Sequence, residues 1–489
     1  MRLFTLLAEA GISAKKIADD IEITGICSHS AAALAGHIFV ALRGLESDGA
    51  AFAGEAVARG AVLVVAERPL AGLPCLVVED ARLALACLLD AWYGHPARGM
   101  TLIGITGTNG KTSVAFMLAH ILREAGYTAA VIGTVSTDEG GAPLTLAAEN
   151  PLANMTTPDP SVLYAHLLAL REKGVTHVVM EVTSHALFFS KVAPLRFARA
   201  VFTNLSPDHL DLHGDMTSYY MVKRTLFLQC EQGIISLFCP YGQGLADSLD
   251  IPFLTVGRNS VYDVRACSDK GVGFTLKTAE GPLAITLPVP GDFSVENAAL
   301  AAMTALSLGC EKEVVVKALS GFRGVPGRME RVAENPLDIS VFIDYAHTPD
   351  ALEKLLLSVR RFRGAAQRVI LVFGCGGDRD RTKRRKMGQI ATRLADFTVV
   401  TSDNPRGEAP HAITSEILRG MNKEKPYKII TDRAEAIAFA IGVAARGDIV
   451  LLAGKGHERY EIRGNQRLPF DERAIAEACM RDKVRELGL

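Results

Sequence analysis

The sequence predicts an α/β protein of three domains, whose central domain is a mostly parallel sheet with a phosphate-binding loop. Three observations lead to this prediction. The chain has 489 residues, which is too many for one hydrophobic core. Short apolar runs typical of strands alternate with amphipathic helical stretches along most of the chain. A glycine-rich segment stands between a strand-like run and a helix-like run.

Residues 1–97 form the predicted N-terminal domain, a small α/β domain. GHIFVAL (36–42) and GAVLVVAE (60–67) have the apolar, β-branched composition of strands, and alanine-rich helical stretches lie between such runs. The following segment, HPARG (95–99), is a predicted linker, because a proline biases the preceding residue away from the helical conformation and glycine loosens the turn.

Residues 98–329 form the predicted central domain. MTLIGIT (100–106) reads as a buried strand, and residues 112–126 have apolar side chains at the i, i+3, i+4 spacing of an amphipathic helix. Further strands are predicted within 128–136, 175–182 and 197–205, with a helix at 160–174 between the first two. This alternation predicts a mostly parallel sheet.

Residues 330–489 form the predicted C-terminal domain, in which the strand and helix alternation restarts. The predicted strands are ISVFIDY (339–345), RVILVFG (368–374), DFTVVTS (396–402), YKIIT (427–431) and DIVLLAG (448–454).

Composition limits the classes of function. A formal net charge of −1 gives no bulk electrostatic reason to bind nucleic acid. The apolar runs are shorter than the roughly 18 residues of a membrane span, and the first residues lack the pattern of a signal peptide. Nine cysteines without a C-x-x-C pair favour neither a disulfide framework nor a zinc site. We therefore expect a cytoplasmic protein that binds neither nucleic acid nor membrane.

The segment GITGTNGKTS (104–113) has the chemistry of a phosphate loop, although Ile105 stands where the common G-x-x-x-x-G-K-[ST] pattern has its first glycine. Gly107 and Gly110 allow backbone N–H groups to approach phosphates, Lys111 supplies a cation and Thr112 a hydroxyl for Mg²⁺. The alternative is a glycine-rich turn without a ligand.

Candidate ligands of a metal follow two of the predicted strands. Glu181 closes the run at 175–182, and Asp208 and His209 come just after the run at 197–205. The carboxyl edge of a parallel sheet is where such folds bind ligands, and Mg²⁺ prefers oxygen donors. Taken alone, a histidine such as His209 is more often a structural, hydrogen-bonding residue, but its position beside a phosphate loop and Glu181 favours a role in the site.

Several segments together resemble the Mur ligases, ATP-dependent enzymes that form amide bonds in peptidoglycan precursor synthesis. They are GTNGKTS, MEVTSHAL, FTNLSPDHLDLHG, YYMVKRTLF, VPGDFSVENAALAA and DYAHTPDALE. GCGGDRDRTKRRKMG, TSDNPRGE and LLAGKGHERY resemble the MurE type, which adds the third residue of the stem peptide to UDP-N-acetylmuramoyl-L-alanyl-D-glutamate. Within that type, D-N-P-R is the form associated with meso-2,6-diaminopimelate rather than L-lysine.

The resemblance implies an N-terminal UDP-binding domain, a central P-loop domain that binds ATP and a C-terminal Rossmann-like domain that binds the incoming amino acid. Catalysis and metal binding are implied for Lys111, Thr112, Glu181, His209 and a carbamylated Lys223 that helps to hold a second Mg²⁺. ATP contacts are implied for Gly107, Thr108, Asn109, Gly110, Lys111, Thr112, Ser113, Asn297, Arg328, Asp344 and His347. UDP-substrate contacts are implied for Ser28, Thr156, Thr157, Ser184 and Lys191. A diaminopimelate site is implied for Arg379, Asp403, Asn404, Arg406, Gly454 and Glu458.

Some positions depart from the family's pattern. Lys191 stands where arginine is usual, and it keeps the charge but loses the bidentate fork. Met155 stands where asparagine is common. These departures affect the details of UDP-substrate contacts and leave the implied reaction class unchanged.

Diaminopimelate differs from lysine by a second head group with a carboxylate. Arg406 offers a planar fork for that carboxylate, and the acceptors of Asp403, Asn404 and Glu458 suit its ammonium. Arg406 is expected to be buried, so bound lysine would leave it without a counter-charge at roughly 2–5 kcal/mol, which is about 30-fold to several thousand-fold in discrimination. D-N-P-R is also a typical turn, and both descriptions can hold because Pro405 fixes the loop.

Three alternatives remain open. The nearest is a lysine-adding ligase. A folylpolyglutamate synthetase-like ligase shares the central and C-terminal layout, and a non-catalytic P-loop NTPase would use nucleotide only as a conformational switch. The basic run at 376–386 could be a solvated loop rather than a ligand site. The sequence favours a monomeric enzyme that uses ATP and Mg²⁺ on small-molecule substrates.

Overall fold

The computed structural model describes residues 1–14, 17, 19–44, 47–135, 155–332 and 335–488. The described chain divides into two compact units, residues 1–255 and 256–489. The finer division into domains 1–97, 98–329 and 330–489 stays a prediction. Within the described residues, no helix has the length and apolar character that a bilayer crossing requires.

The first unit begins with a four-stranded parallel sheet. Its strands, in the order β1-β2-β3-β4, are β1 (Gly25–Cys27), β2 (His37–Val40), β3 (Leu63–Ala66) and β4 (Cys75–Val77). The accompanying helices are α1 (Leu3–Glu9), α2 (Ala53–Ala58) and α3 (Ala81–Trp92). β2 and β3 confirm the two predicted strands of this region, and their buried aliphatic side chains explain why the sequence indicated them.

A six-stranded sheet follows in the order β10-β9-β8-β5-β7-β6. Its strands are β5 (Thr101–Thr106), β6 (Ala129–Ile132), β7 (His177–Glu181), β8 (Phe197–Phe202), β9 (Cys230–Ser236) and β10 (Phe253–Val256). Its helices are α4 (Lys111–Glu124), α5 (Pro160–Glu172), α6 (Ser184–Phe188), α7 (Leu210–His213), α8 (Met216–Arg224) and α9 (Pro240–Asp247). The strands from β9 to β6 pair in parallel, so the loops after β5, β7 and β8 meet at one edge.

The predicted elements of this region are confirmed, and the strands are shorter than the runs that indicated them. The run at 128–136 forms a strand only as far as Ile132, and its last residue, Ser136, lies outside the described residues. α5 begins where Pro160 occupies the first turn and the Asp159 carboxylate accepts from the backbone N–H of Ser161, a favourable start because proline lacks an N–H that would be unpaired there.

The second unit opens with an antiparallel sheet that the sequence analysis did not predict. Its strands are β11 (Val261–Ser268), β12 (Gly271–Thr278) and β13 (Gly281–Leu287), followed by α10 (Asp292–Ser307) and α11 (Lys312–Ser320). β13 alternates buried and exposed side chains, as expected for a sheet with one solvated face.

The remainder of the second unit is a six-stranded sheet in the order β14-β15-β19-β16-β17-β18, parallel except for β14. Its strands are β14 (Glu330–Arg331), β15 (Ser340–Asp344), β16 (Val369–Phe373), β17 (Phe397–Val400), β18 (Tyr427–Ile429) and β19 (Ile449–Ala453). A hairpin of β20 (Tyr460–Arg463) and β21 (Gln466–Pro469) follows. The helices are α12 (Pro349–Phe362), α13 (Thr382–Leu394), α14 (Pro410–Leu418), α15 (Arg433–Val443) and α16 (Glu472–Glu486). All five predicted strands of this region are confirmed.

Candidate active site

The loop between β5 and α4 requires glycine at two positions. Gly107 has φ of 142° and Gly110 has φ of 87°, conformations that residues with a side chain rarely adopt. A Cβ atom on Gly107 would lie 2.0 Å from Oγ1 of Thr203, so this position has no room for a side chain. α4 begins directly at Lys111, so the first N–H groups of the helix lie at the end of the loop.

Residues that follow β8 hold the loop in place. Oγ1 of Thr203 donates to the carbonyl of Asn109 at 2.6 Å, and the Asn204 side chain accepts from the N–H of Asn109 at 3.0 Å. The hydroxyl of Thr108 accepts from the N–H of Ser206 at 3.0 Å. The loop is thus fixed from the neighbouring strand before any ligand arrives, which is the preorganisation that an anion site requires.

Two lysines meet at the carbonyl of Gly107. Nζ of Lys111 donates to it at 3.0 Å and to the carbonyl of Thr108 at 2.9 Å, and Nζ of Lys223 donates to it at 3.0 Å. Lys223 is buried on α8, with its ammonium over the ring of Tyr219. Burial, followed by the nearby charge of Lys111, holds the pKa of Lys223 well below its usual range.

Glu181 ends β7 with its side chain 1% exposed. Its carboxylate accepts from the hydroxyl of Thr112 at 3.0 Å and from the backbone N–H of Thr134 at 2.9 Å. The hydroxyls of Thr134 and Thr156 lie 3.0 Å apart. This is a set of hard oxygen donors beside the phosphate loop, and its chemistry fits Mg²⁺, which prefers carboxylate, hydroxyl and phosphate oxygens. No cluster of three or more His, Cys, Asp or Glu side chains suited to a metal occurs in the described parts of the chain.

His209 lies in the left-handed conformation, with φ of 53°, immediately before α7. Its ring packs edge-on against His185 at a centroid distance of 4.6 Å, and Nε2 lies 3.5 Å from the Asp208 carboxylate. Burial lowers the pKa of His209 against the opposing effect of Asp208, and Lys111 and Lys223 lower it further. The lowered pKa favours the neutral imidazole, the form that can accept from a donor or bind a cation.

The residues predicted for the UDP-substrate divide between two sheets. Thr157 donates to the carbonyl of Glu181 at 2.8 Å, and the hydroxyl of Ser184 lies 3.0 Å from Nε2 of buried His213, so both belong to the phosphate-loop edge. The ammonium of Lys191 is buried against Sδ of Met155. Ser28 follows β1 in the four-stranded sheet and is half-buried.

The second unit assembles a polar group at the ends of β17 and β19. Asp403 and Asn404 are buried, and the amide of Asn404 donates to the Glu458 carboxylate at 2.7 Å. Nζ of fully buried Lys455 donates to Oδ1 of Asn404 at 3.0 Å and lies 3.5 Å from Asp403 and 4.0 Å from Glu458. Gly454 has φ of 118°, and a Cβ atom there would lie 3.1 Å from Oδ2 of Asp403.

Arg406 is half-buried, whereas the sequence analysis assumed that it is buried. It leaves the Pro405 turn with φ of 51°, and Nη1 donates to the carbonyls of Gly377 and Asn404 at 2.9 and 3.4 Å. Within the described residues, Nε and Nη2 of Arg406 have no hydrogen-bond partner, and no carboxylate forms an ion pair with it. Arg379 is exposed on the neighbouring loop.

The residues predicted around the nucleotide in the second unit form a separate group. Asp344 ends β15, where its carboxylate accepts from the N–H groups of Met329 and Ala346 at 2.8 Å each, and burial raises its pKa. The Arg328 guanidinium stacks on Tyr345 at 4.7 Å, and the ring of His347 lies 4.6 Å from the same ring. Asn297 is buried on α10.

Sequence reasoning missed three groups that the structure places in these sites. Thr134 and Thr203 support Glu181 and the phosphate loop through single hydroxyl or backbone contacts, for which the sequence carries no signal. Lys455 lies between Gly454 and Glu458, which were both predicted for the diaminopimelate site, and it comes shortly after the end of β19. Its position at a strand end could have indicated it.

Comparisons with known proteins point to one family. The pattern of the Mur ligase middle domain matches residues 105–305, and that of the Mur ligase glutamate ligase domain matches residues 327–456. The chain is 40% identical to the UDP-N-acetylmuramoyl-L-alanyl-D-glutamate--2,6-diaminopimelate ligase of Syntrophomonas wolfei, over 99% of this chain and 100% of that protein.

Solved structures show the same likeness. A structure of a UDP-N-acetylmuramoyl-L-alanyl-D-glutamate--2,6-diaminopimelate ligase superposes with a TM-score of 0.69 and 29% identity, over 99% of both chains. The MurF ligase of Thermotoga maritima in complex with ADP shares the fold with a TM-score of 0.59 and 18% identity, over 94% of this chain and 98% of that one.

Proposed function

The chain belongs to the Mur ligase family, and from this premise we propose that it joins 2,6-diaminopimelate to UDP-N-acetylmuramoyl-L-alanyl-D-glutamate, with conversion of ATP to ADP and phosphate. The observation that carries the choice of amino acid is the half-buried Arg406: its Nε and Nη2 have no partner among the described residues, and its Nη1 donates to the carbonyl of Asn404, whose side-chain amide donates to Glu458. A planar edge of two N–H groups fits a carboxylate, and the acceptors fit an ammonium.

The phosphate loop suits the activation of a carboxylate. The γ-carboxylate of the D-Glu residue is a poor electrophile, so we propose that its oxygen attacks the γ-phosphorus of ATP. A bond from oxygen to phosphorus forms, the bond to the bridging oxygen breaks, and ADP leaves with an acyl phosphate as the product. Lys111 and the N–H groups at the start of α4 would stabilise the negative charge that gathers there.

The amide bond forms in a second step. The uncharged amine of diaminopimelate attacks the acyl carbon, and the tetrahedral intermediate then expels phosphate while the nitrogen loses a proton. The lowered pKa of His209 favours its neutral imidazole. In that form the ring can bind a cation or accept a proton beside the loop.

Magnesium would be held by the oxygen donors of Glu181 and Thr112, with His209 beside them. When bound, Mg²⁺ offsets the charge of the phosphates and of the approaching carboxylate. Lys223 is proposed to be carbamylated: its uncharged amine attacks CO₂, a nitrogen–carbon bond forms and a proton is lost, which leaves a carboxylate. The burial that lowers the pKa of Lys223 supports this proposal because only the uncharged amine reacts.

The remaining assignments stay part of the proposal. ATP is placed on residues 107–113, with Asn297, Arg328, Asp344 and His347 around the nucleotide; the UDP-substrate on Ser28, Thr156, Thr157, Ser184 and Lys191; and the amino acid on Arg379, Asp403, Asn404, Arg406, Gly454 and Glu458. We further propose the meso isomer, a cytoplasmic location and a monomer without nucleic-acid or membrane partners.

The test is phosphate release by the purified protein with ATP, Mg²⁺ and UDP-N-acetylmuramoyl-L-alanyl-D-glutamate. Three reactions are compared, with meso-diaminopimelate, with L-lysine and without amino acid. We expect release with diaminopimelate alone. Release with lysine at a similar rate would leave a ligase but overturn the role of Arg406, and no release in any reaction would favour a nucleotide-dependent switch.

A further inference from the structure

Two loops that carry the arginines of the proposed amino-acid site are bonded directly to each other. One follows β16 and contains residues 376–380; the other follows β17 and contains residues 404–408. The N–H of Gly377 donates to the carbonyl of Asn404 at 2.9 Å, and the N–H of Gly407 donates to the Asp378 carboxylate at 2.9 Å. In the opposite direction, the N–H of Asp378 donates to Oε1 of Glu408 at 2.7 Å.

The backbone of these loops is strained at two positions. Asp378 and Arg406 both have φ of 51°, in the left-handed region that costs about 1 kcal/mol or more for a residue with a side chain. A Cβ atom on Gly377 would lie 1.8 Å from the carbonyl oxygen of Pro405, so the two loops are as close as their backbones allow. Such conformations persist only where surrounding contacts hold them.

The strongest of these contacts comes from an arginine that sequence reasoning left unassigned. Arg384, on α13, has a fully buried side chain and forms two parallel hydrogen bonds to Glu408, from Nη1 to Oε2 at 2.8 Å and from Nη2 to Oε1 at 2.7 Å. Nη2 also donates to the carbonyl of Gly376 at 3.1 Å, and Nη1 to Oε2 of Glu416 at 2.9 Å. A buried guanidinium is costly unless it is paired in this way.

The Glu408 carboxylate is therefore occupied. Both of its oxygens accept from Arg384, and Oε1 also accepts from the backbone of Asp378. Glu416, in contrast, pairs with Arg384 and Arg381 and has no hydrogen bond to either loop among the described residues. Both carboxylates bind Arg384, but only that of Glu408 also accepts a hydrogen bond from the backbone of one of the two loops. Glu416 is therefore a matched control for Glu408.

We propose that Glu408, fixed by buried Arg384, is a positioning residue that sets the Asp378 and Arg406 loops against each other and so aims the Arg406 guanidinium at the second carboxylate of diaminopimelate. This proposal rests on the proposed function. Glu408 acts through the backbone rather than on the substrate. The proposal therefore predicts that binding of the amino acid depends on a residue that does not contact it.

The test compares Glu408→Gln with Glu416→Gln in the full-length enzyme. Glutamine has nearly the same size but a single acceptor oxygen, so in Glu408→Gln the new side chain cannot serve both nitrogens of Arg384 and the backbone of Asp378. We expect the KM for diaminopimelate to rise about 10- to 100-fold in Glu408→Gln, as small displacements of a ligand-binding group do. The KM values for ATP and the UDP-substrate, and kcat at saturation, should stay near those of the wild type. Glu416→Gln should keep all of these values.

A second variant protects the test against loss of folding. Asp378→Gly keeps a left-handed backbone accessible and removes only the side-chain acceptor of the Gly407 N–H, at an exposed residue whose side chain has no bond to the buried arginine among the described residues. It should raise the same KM in the same direction. Arg384→Lys should be intermediate, because lysine keeps the charge and loses the fork.

The outcomes separate the two proposals. If the wild type releases no phosphate with diaminopimelate, the proposed function fails, and the role of Glu408 in aiming Arg406 at that substrate fails with it. If the wild type is active but Glu408→Gln and Asp378→Gly leave the KM for diaminopimelate unchanged, the positioning role is overturned. It is also overturned if Glu408→Gln changes all three KM values alike, or matches Glu416→Gln.

Discussion

Replacement of Arg406 by alanine should remove the preference for diaminopimelate over lysine. In the structure, Nη1 is used by two carbonyls, while the Nε and Nη2 edge is available for a carboxylate. A hydrogen bond to a charged group contributes about 1.5–3 kcal/mol, and the half-buried position of Arg406 places the loss in this range rather than at the higher values of a buried pair. The expected fall in kcat/KM for diaminopimelate is therefore about 10- to 140-fold.

The assay measures kcat/KM for diaminopimelate and for lysine in the wild type, Arg406→Ala, Arg406→Lys and Arg459→Ala. Arg459 adjoins Glu458 in sequence but is exposed, and it serves as the control. Arg406→Ala should lower the ratio of the two values, and Arg406→Lys should lower it less, because an ammonium keeps the charge without the fork. Equal changes in the KM values for ATP, the UDP-substrate and diaminopimelate would refute the assigned role.

Two further predictions concern ionisable groups whose pKa values are shifted. Lys223→Ala should largely abolish turnover while the far-ultraviolet circular dichroism and cooperative melting persist. Met221→Ala, at an exposed position on the same helix, is the control. Near wild-type activity in Lys223→Ala would exclude a catalytic role for Lys223. Hydrogen bonds from Arg384 lower the pKa of Glu408 from 4.5 to about 2, so its contribution to the free energy of unfolding is complete above pH 4.5 and is lost as the pH falls towards 2. Urea titrations across that range should show a steeper loss of stability in the wild type than in Glu408→Gln, and parallel curves would contradict the pairing.

The sequence predicted the parts of the fold that depend on local patterns. Buried aliphatic runs such as those of β5 and β16 alternate with amphipathic helices, and this alternation is what a parallel sheet covered by helices requires. The antiparallel sheet of β11 to β13 was missed because strands that pair with their immediate neighbours and expose one face have a weaker apolar signal. Which residues pair across these three strands is known only from the register of the folded sheet.

The candidate site divides in the same way. Gly107 and Lys111 could be predicted because loop and helix are continuous in sequence. The position of Glu181 at the carboxyl edge of the same sheet was expected, whereas the strand order that brings it beside the loop comes from the structure. The exposure of Arg406 and the buried pairing of Arg384 with Glu408 depend on contacts between separate loops. A run of arginines gives no sign of which member is buried, since the common meaning of such a run is a solvated face.

The charges of the proposed amino-acid site indicate which groups determine affinity and which determine selectivity. Nζ of buried Lys455 lies 3.5 Å from the carboxylate of Asp403 and 4.0 Å from that of Glu458, and this pair of carboxylates also suits the ammonium of a bound amino acid. Burial and the charge of Asp403 raise the pKa of Glu458, so an ammonium bound there would favour its ionised form. Lysine and diaminopimelate both offer that ammonium. Only diaminopimelate also offers a carboxylate to Arg406, so discrimination must come from the orientation of one guanidinium, and hence from the loops that hold it.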